Sequence, residues 1–170
     1  MRKIKLLILL FAFFINTSTQ GVCQIQTTSQ EECLPEYRFD GEKLVLTEQE
    51  WRARLSPEQF KVLREKDTER PFKNAYFDNK KEGIYLCAGC ELPLYSSKDK
   101  YESGTGWPSF SKPICPENVS YSEDRSFFRT RTEVHCSRCE GHIGHVFDDG
   151  PPPTGKRYCM NSAALKFIQK

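Results

Sequence analysis

The sequence predicts a mainly β domain with a short helical cover on its N-terminal side. Three observations carry this. Past Pro71 the chain breaks into short apolar segments separated by Gly, Pro, Asn and Asp, the punctuation of strands and turns. The stretch Phe128–His135 alternates Phe, Arg, Thr, Arg, Thr, Glu, Val, His, as a half-buried antiparallel strand does. Before Pro71, Thr47 is followed by Glu50 and Ser56 by Gln59. Each pair is a capping box, in which the first side chain and the third helical residue satisfy each other's backbone N–H.

Taken in order, residues 1–23 read as an export signal: Arg2, Lys3 and Lys5 precede the apolar run Leu6–Ile15, with polar, small residues after it. That run is too short to cross a bilayer as a helix. Residues 24–38 are polar and mixed, a flexible linker, and the folded domain spans 39–170. Two helices are expected, Glu48–Leu55 with Trp51 and Leu55 on one face, and Pro57–Lys66 with Phe60 and Leu63 on one face. Strands are expected at Gly83–Leu86, Val119–Tyr121, Phe127–His135, His145–Phe147, Tyr158–Ser162 and Ala164–Ile168.

Composition excludes several classes. The 170 residues hold 25 Lys+Arg and 23 Asp+Glu; without the first 23 residues the balance is 22 against 23, a net charge of −1. This gives no electrostatic basis for binding nucleic acid. With 28% charged and 38% hydrophobic residues the chain is neither embedded in a membrane nor disordered throughout. Eight cysteines are too few for a disulfide scaffold of this length, so their spacing matters most.

Cys87-Ala88-Gly89-Cys90 and Cys136-Ser137-Arg138-Cys139 are two CxxC knuckles, each following an expected strand. Two such turns bring four thiolates to about 2.3 Å from one ion and close a tetrahedral shell. Zn2+ is the expected ion, one per chain, and a closed shell makes it structural. Thiol–disulfide chemistry at CxxC is the competing reading, but the βαβ context it needs is missing. In Arg157-Tyr158-Cys159-Met160-Asn161, alternation puts Arg157, Cys159 and Asn161 on one strand face. A guanidinium beside sulfur favours thiolate, and Asn161 offers an amide; a buried structural cysteine fits that polar face less well. Gly141-His142-Ile143-Gly144-His145 sets two imidazoles three apart, suited to acid–base chemistry. Ser103-Gly104-Thr105-Gly106-Trp107 reads either as a loop presenting Trp107 or as ordinary core.

Together the two knuckles, Ser103–Phe110, Gly141–Pro151 and Arg157–Leu165 resemble the methionine-R-sulfoxide reductase B family, over a span from about Phe39 to Ile168. The resemblance implies coiled antiparallel β-sheets in an Mss4-like arrangement, with the zinc site distant from the active site. It implies repair of oxidised proteins or peptides by reduction of the R epimer of methionine sulfoxide. Cys159 falls at the nucleophile, His142 and His145 at the proton donors, and Asp149, Arg157 and Asn161 in the polar network around them. Trp107 and Phe147 fall on the substrate-binding wall, Trp107 against the methyl group. Cys159 would become a sulfenic acid.

Many family members carry a resolving cysteine where this chain has Thr105. Direct reduction, Cys33 and Cys115 are the remaining routes. A thioredoxin-like reductant outside the cytoplasm, in a periplasm or cell envelope, is implied, as is a monomer without membrane insertion of the mature chain. The alternative to an enzyme is a zinc-stabilised β module that binds without catalysis. It leaves Cys159, His142, His145 and Arg157 together unexplained. A zinc hydrolase or deaminase lacks its H-x-E and P-C-x-x-C pattern.

Overall fold

The computed structural model describes residues 33–125 and 129–170. The expected export signal and residues 24–32 lie outside the described residues, as do Phe127 and Phe128 of one expected strand.

Both capping boxes form. Thr47 accepts from the Glu50 N–H and Ser56 from the Gln59 N–H, and each third-position side chain returns a bond to its cap. They start α1 (Glu48–Arg54) and α2 (Pro57–Glu65). The second box truncates α1, because Ser56 is extended and Pro57 cannot extend the first helix's ladder. Helix α2 stops at Lys66, in the left-handed region at φ 59°. Trp51, Leu55, Phe60, Val62 and Leu63 face inward and are buried.

The rest is two antiparallel sheets. The smaller has the order β2-β1-β9, from β1 (Gly83–Cys87), β2 (Pro93–Ser96) and β9 (Leu165–Gln169). The larger has the order β3-β4-β8-β7-β6-β5. Its members are β3 (Lys100–Tyr101), β4 (Ser109–Phe110), β5 (Val119–Asp124), β6 (Arg131–Cys136), β7 (His142–Phe147) and β8 (Arg157–Met160). Tyr85 and Tyr95 from the smaller sheet meet Phe110, Tyr158 and Met160 from the larger in one buried core. Tyr95 stacks on Phe110 at 4.5 Å between ring centroids, and its hydroxyl donates to Met160 Sδ at 3.1 Å.

Three strands exceed the sequence reading: β2 holds a proline, and β3 and β4 have two residues each. Strand β7 begins at His142 rather than His145, and β8 ends at Met160 because Ser162–Ala164 turn into a 3-10 helix. The segment read as a free linker is held where it is described. Cys33 and Cys115 form a disulfide with Cα atoms 5.0 Å apart. The buried Asn118 side chain donates to the carbonyls of Tyr37 and Pro93, each at 2.6 Å, and accepts from the Phe39 N–H at 2.8 Å.

Register in the larger sheet sets up the site. Reading across it, Tyr101 is opposite Ser109, Ser109 opposite Cys159, Cys159 opposite His145, His145 opposite Glu133, and Glu133 opposite Ser122. Directly opposed residues share a face, so one polar rank crosses all six strands. The residues one step along, among them Phe110, Tyr158 and Val134, point into the core.

Gly144 lies within this rank's frame, opposite Met160. A Cβ there would fall 2.2 Å from the Cys159 carbonyl oxygen and 2.9 Å from the Met160 Cα. The glycine between the histidines therefore admits the neighbouring strand rather than a ligand. Gly144→Ala is expected to destabilise the fold by about 3 kcal/mol, the upper end for overpacking, in urea denaturation. Wild-type stability in this variant would show that β7 and β8 do not approach so closely.

Candidate active site and metal centre

Each knuckle is built alike. The Glu91 N–H donates to the Cys87 carbonyl and the Glu140 N–H to the Cys136 carbonyl, both at 2.8 Å. Both glutamates adopt positive φ, 61° and 58°. The two turns put all four sulfurs within 4.8 Å of one another. Cys87–Cys139 and Cys90–Cys136 are 3.6 Å and 3.4 Å apart, close to the about 3.8 Å edge of a tetrahedron with 2.3 Å metal–sulfur bonds. Neighbouring sulfurs push the Cys87 and Cys136 thiols up and the Cys90 and Cys139 thiols down; four thiolates at these distances repel one another unless a cation lies between them. These residues could hold a metal ion, with no position left for substrate.

The helical cover seals this centre. Arg54 Nε donates to the Gly89 carbonyl at 2.6 Å and Arg64 to the Cys139 carbonyl at 2.9 Å. Leu63 packs so closely that a Cβ on Gly141 would lie 2.8 Å from it.

The second constellation lies on the polar rank. Cys159, on β8, has Thr105 Oγ1 at 3.9 Å from its sulfur. Thr105 is bonded to Ser103 and Ser103 to Ser109, both at 2.8 Å, which makes a chain of hydroxyls leading to the sulfur. Burial pushes the Cys159 thiol up, while Thr105, Arg157 and Ser109 pull it down without reversing the net direction. Arg157 thus acts in the expected sense but does not by itself produce a low-pKa thiol.

Arg157 forms a two-pronged pair with Asp149, at 2.8 and 2.9 Å, and lies 4.4 Å above the Phe147 ring. Asp149 therefore orients Arg157 rather than a histidine. The histidines are held by two carboxylates that the sequence reading did not single out. His142 Nδ1 is 2.6 Å from Glu133 Oε1, and His145 Nε2 is 2.9 Å from Asp124 Oδ2. Burial lowers His142 to about 4, against the opposing pull of Glu133, and it lowers His145 as well. Both rings are neutral near pH 7. Their centroids are 5.4 Å apart. Both line a cavity of about 820 Å3, together with Asp124, Arg131 and Glu133. Cys159 does not line it, but is directly opposite His145 on the neighbouring strand.

Asn161 is a brace, not a partner of the sulfur. Its side-chain amide donates to the Ile143 carbonyl at 3.0 Å and its oxygen accepts from the Glu69 N–H at 3.3 Å. Trp51 is the core tryptophan, whereas Trp107 is half-buried. The Trp107 indole N–H donates to the Glu69 carbonyl at 3.1 Å, which fixes the ring beside the Thr105 loop. Cys33 and Cys115, named as possible resolving thiols, are bonded to each other, so neither offers a thiol to Cys159 while that bridge is intact. Among the described residues the free cysteines are Cys159 and the four of the knuckles.

The arrangement can place a thiolate beside hydroxyls and a guanidinium, with paired imidazoles one strand away. That is the equipment for nucleophilic attack with proton transfer. Arg157→Met removes a positive charge that favours the Cys159 thiolate, so its thiol should titrate at higher pH. The rising limb of iodoacetamide alkylation at Cys159, followed by mass spectrometry, should move up; an unchanged limb would mean the guanidinium does not act on the sulfur.

Known proteins match this chain closely. Residues 55–169 match the SelR domain. The protein is 52% identical over 126 residues to "Peptide methionine sulfoxide reductase MsrB" of Hahella chejuensis, covering 74% of this chain and 91% of that protein. It is 56% identical over 121 residues to the protein of that name from Methanosarcina barkeri, covering 71% of this chain and 85% of that one. The Leptospira interrogans protein of that name is 51% identical over 121 residues, 71% of this chain and 92% of its own.

Proposed function

This chain belongs to the SelR-domain family of peptide methionine sulfoxide reductases, MsrB, and we infer that it reduces the R epimer of methionine sulfoxide in proteins to methionine. The observation that carries the reading at the level of chemistry is Cys159 held between the Thr105–Ser103–Ser109 hydroxyl chain and His145 on the neighbouring strand.

The Cys159 thiolate attacks the sulfoxide sulfur as a proton is delivered to the sulfoxide oxygen. The sulfur–oxygen bond breaks as a bond between the two sulfurs forms, and the oxygen leaves as water after a second protonation. Water then attacks the Cys159 sulfur and releases a proton, and the sulfur–sulfur bond breaks with its electron pair going to methionine. Cys159 is left as a sulfenic acid, oxidised by two electrons. The substrate sulfur gains the same two electrons, so the step balances. His142 and His145 each use one ring nitrogen toward a carboxylate, which leaves the other with a lone pair that can accept from a water and aim that water's second proton at the sulfoxide oxygen. Trp107 supplies a flat apolar wall for the methyl group. With the methyl on the indole side and the oxygen on the histidine side, the S epimer would exchange the two and lose the proton path. A binding module is not favoured, because it has no use for this assembly.

The four-cysteine centre holds zinc in this reading, in a structural role: it supplies folding energy and four closed bonds, and the reaction takes place on the polar rank. The sulfenic acid is reduced directly by an external dithiol of the thioredoxin-like kind. A first thiol displaces water to form a mixed disulfide and a second releases Cys159. The Cys33–Cys115 bridge supports direct reduction, since it removes both rival thiols. It also supports export to a periplasm or cell envelope, because such bridges persist in oxidising compartments. The basic and apolar run of residues 2–15 supports the same location.

Purified protein with dithiothreitol is expected to turn over the R epimer of a blocked methionine sulfoxide and leave the S epimer. Cys159→Ser should lose that activity. Turnover of neither epimer by folded protein would overturn the reading. After one turnover without reductant, peptide mapping should find Cys159 as sulfenic acid and the Cys33–Cys115 bridge intact; a disulfide from Cys159 to either would contradict direct reduction. Cys90→Ser should fall below one equivalent of zinc per chain in elemental analysis, whereas metal-free, fully active wild-type protein would contradict the structural role.

A further inference from the structure

Glu133 is a buried carboxylate, with its side chain 4% exposed. It lies one strand from His145 and two from Cys159. Its Oε1 meets His142 Nδ1 at 2.6 Å. Its Oε2 accepts from Lys66 Nζ at 3.0 Å and Ser122 Oγ at 3.2 Å, with His135 Nε2 at 3.3 Å. Burial pushes the Glu133 carboxyl up, but Lys66 with His135 and His142 outweighs it, so the group is ionised near neutrality.

An ionised carboxylate accepts hydrogen bonds and cannot donate them. His142 must therefore place its proton on Nδ1, and because burial keeps the ring neutral, Nε2 carries a lone pair. The His142 side chain is 2% exposed, and its Nε2 is buried without a hydrogen-bond partner among the described residues. The ring lines the cavity it shares with His145. An orphaned acceptor inside a polar cavity is costly for the fold alone, so its orientation points to something that binds there.

We propose that Glu133 is a positioning residue for the reductase reaction, fixing His142 as the Nδ1–H tautomer so that Nε2 faces the proton path to the sulfoxide oxygen. The proposal rests on the reductase reading above. Its rival is a purely structural role, in which Glu133 only anchors Lys66 at the end of α2 to β6. The two roles separate because Lys66 and His142 occupy different carboxylate oxygens.

The test uses the full zinc-loaded chain with 15N-labelled histidine, whose ring-nitrogen shifts report the tautomer without substrate. Wild-type His142 is expected as Nδ1–H. Glu133→Met, which removes the acceptor, should release it toward Nε2–H and lower kcat for the R epimer at least tenfold, with KM within twofold. Glu133→Gln, which keeps an acceptor but no charge, should fall between. Lys66→Arg, which keeps the cation that helps hold Glu133 ionised, should leave both tautomer and kcat at wild-type values. His142 as Nε2–H in the wild-type protein would overturn the proposal, as would a Glu133→Met protein with wild-type kcat. If Glu133→Met does not fold, the wild-type tautomer and Glu133→Gln still decide. Failure of the wild-type protein to reduce either epimer would instead strike the reductase reading, and the tautomer measurement would still judge the Glu133–His142 contact.

Discussion

The gathering of four cysteine sulfurs into one cluster is the constraint on which the rest of this structure depends. Cys87 ends a strand of the smaller sheet and Cys136 ends a strand of the larger. The four-sulfur cluster therefore joins the two sheets at one corner, and the helical pair caps the joint through Arg54, Arg64 and Leu63. The second knuckle is followed at once by Gly141 and His142. Its geometry fixes where β7 begins, and so where both histidines stand. A metal ion held by these sulfurs would in this way act on the placement of a thiol that it does not touch.

What the clamp locates, antiparallel register then distributes. Cys159, His145 and Glu133 come from three strands, yet they fall in one rank because each is directly opposite the next. The core side of the same strands is aromatic and closely packed, with Tyr95 in ring contact with both Phe110 and Tyr158. Such a floor resists bending, which holds the polar rank in alignment. Gly144 is required for the same reason, since only a residue without Cβ lets β8 pass at the observed distance.

Local signals were legible in the sequence and long-range pairings were not. The capping boxes at Thr47 and Ser56 act over three residues, and both helices were readable from them to within a residue or two. The CxxC spacing identified the four residues that cluster, because each turn closes on itself. The alternation around Glu133 showed a polar strand face, but pairing with His142 depends on a register irregularity at Val134/His135 that no local pattern encodes. Asp124 reaches His145 across the intervening strand β6, a contact that the pattern within one strand does not show. Asn161 was misread as facing the sulfur because its backbone turns into the 3-10 helix after Met160. Cys33 and Cys115 are 82 residues apart, and the polar composition around Cys33 gave no sign that the segment was pinned.

The central claim is that the thiolate clamp holds the catalytic face in register. Hydrogen exchange on zinc-loaded and chelator-stripped protein tests it most directly, read peptide by peptide across β6, β7 and β8. The account predicts that stripping abolishes protection of the β6–β7 hairpin together with turnover of the R epimer, and that restoring zinc recovers both. Stripped protein that keeps its hairpin protection and its full activity would contradict it.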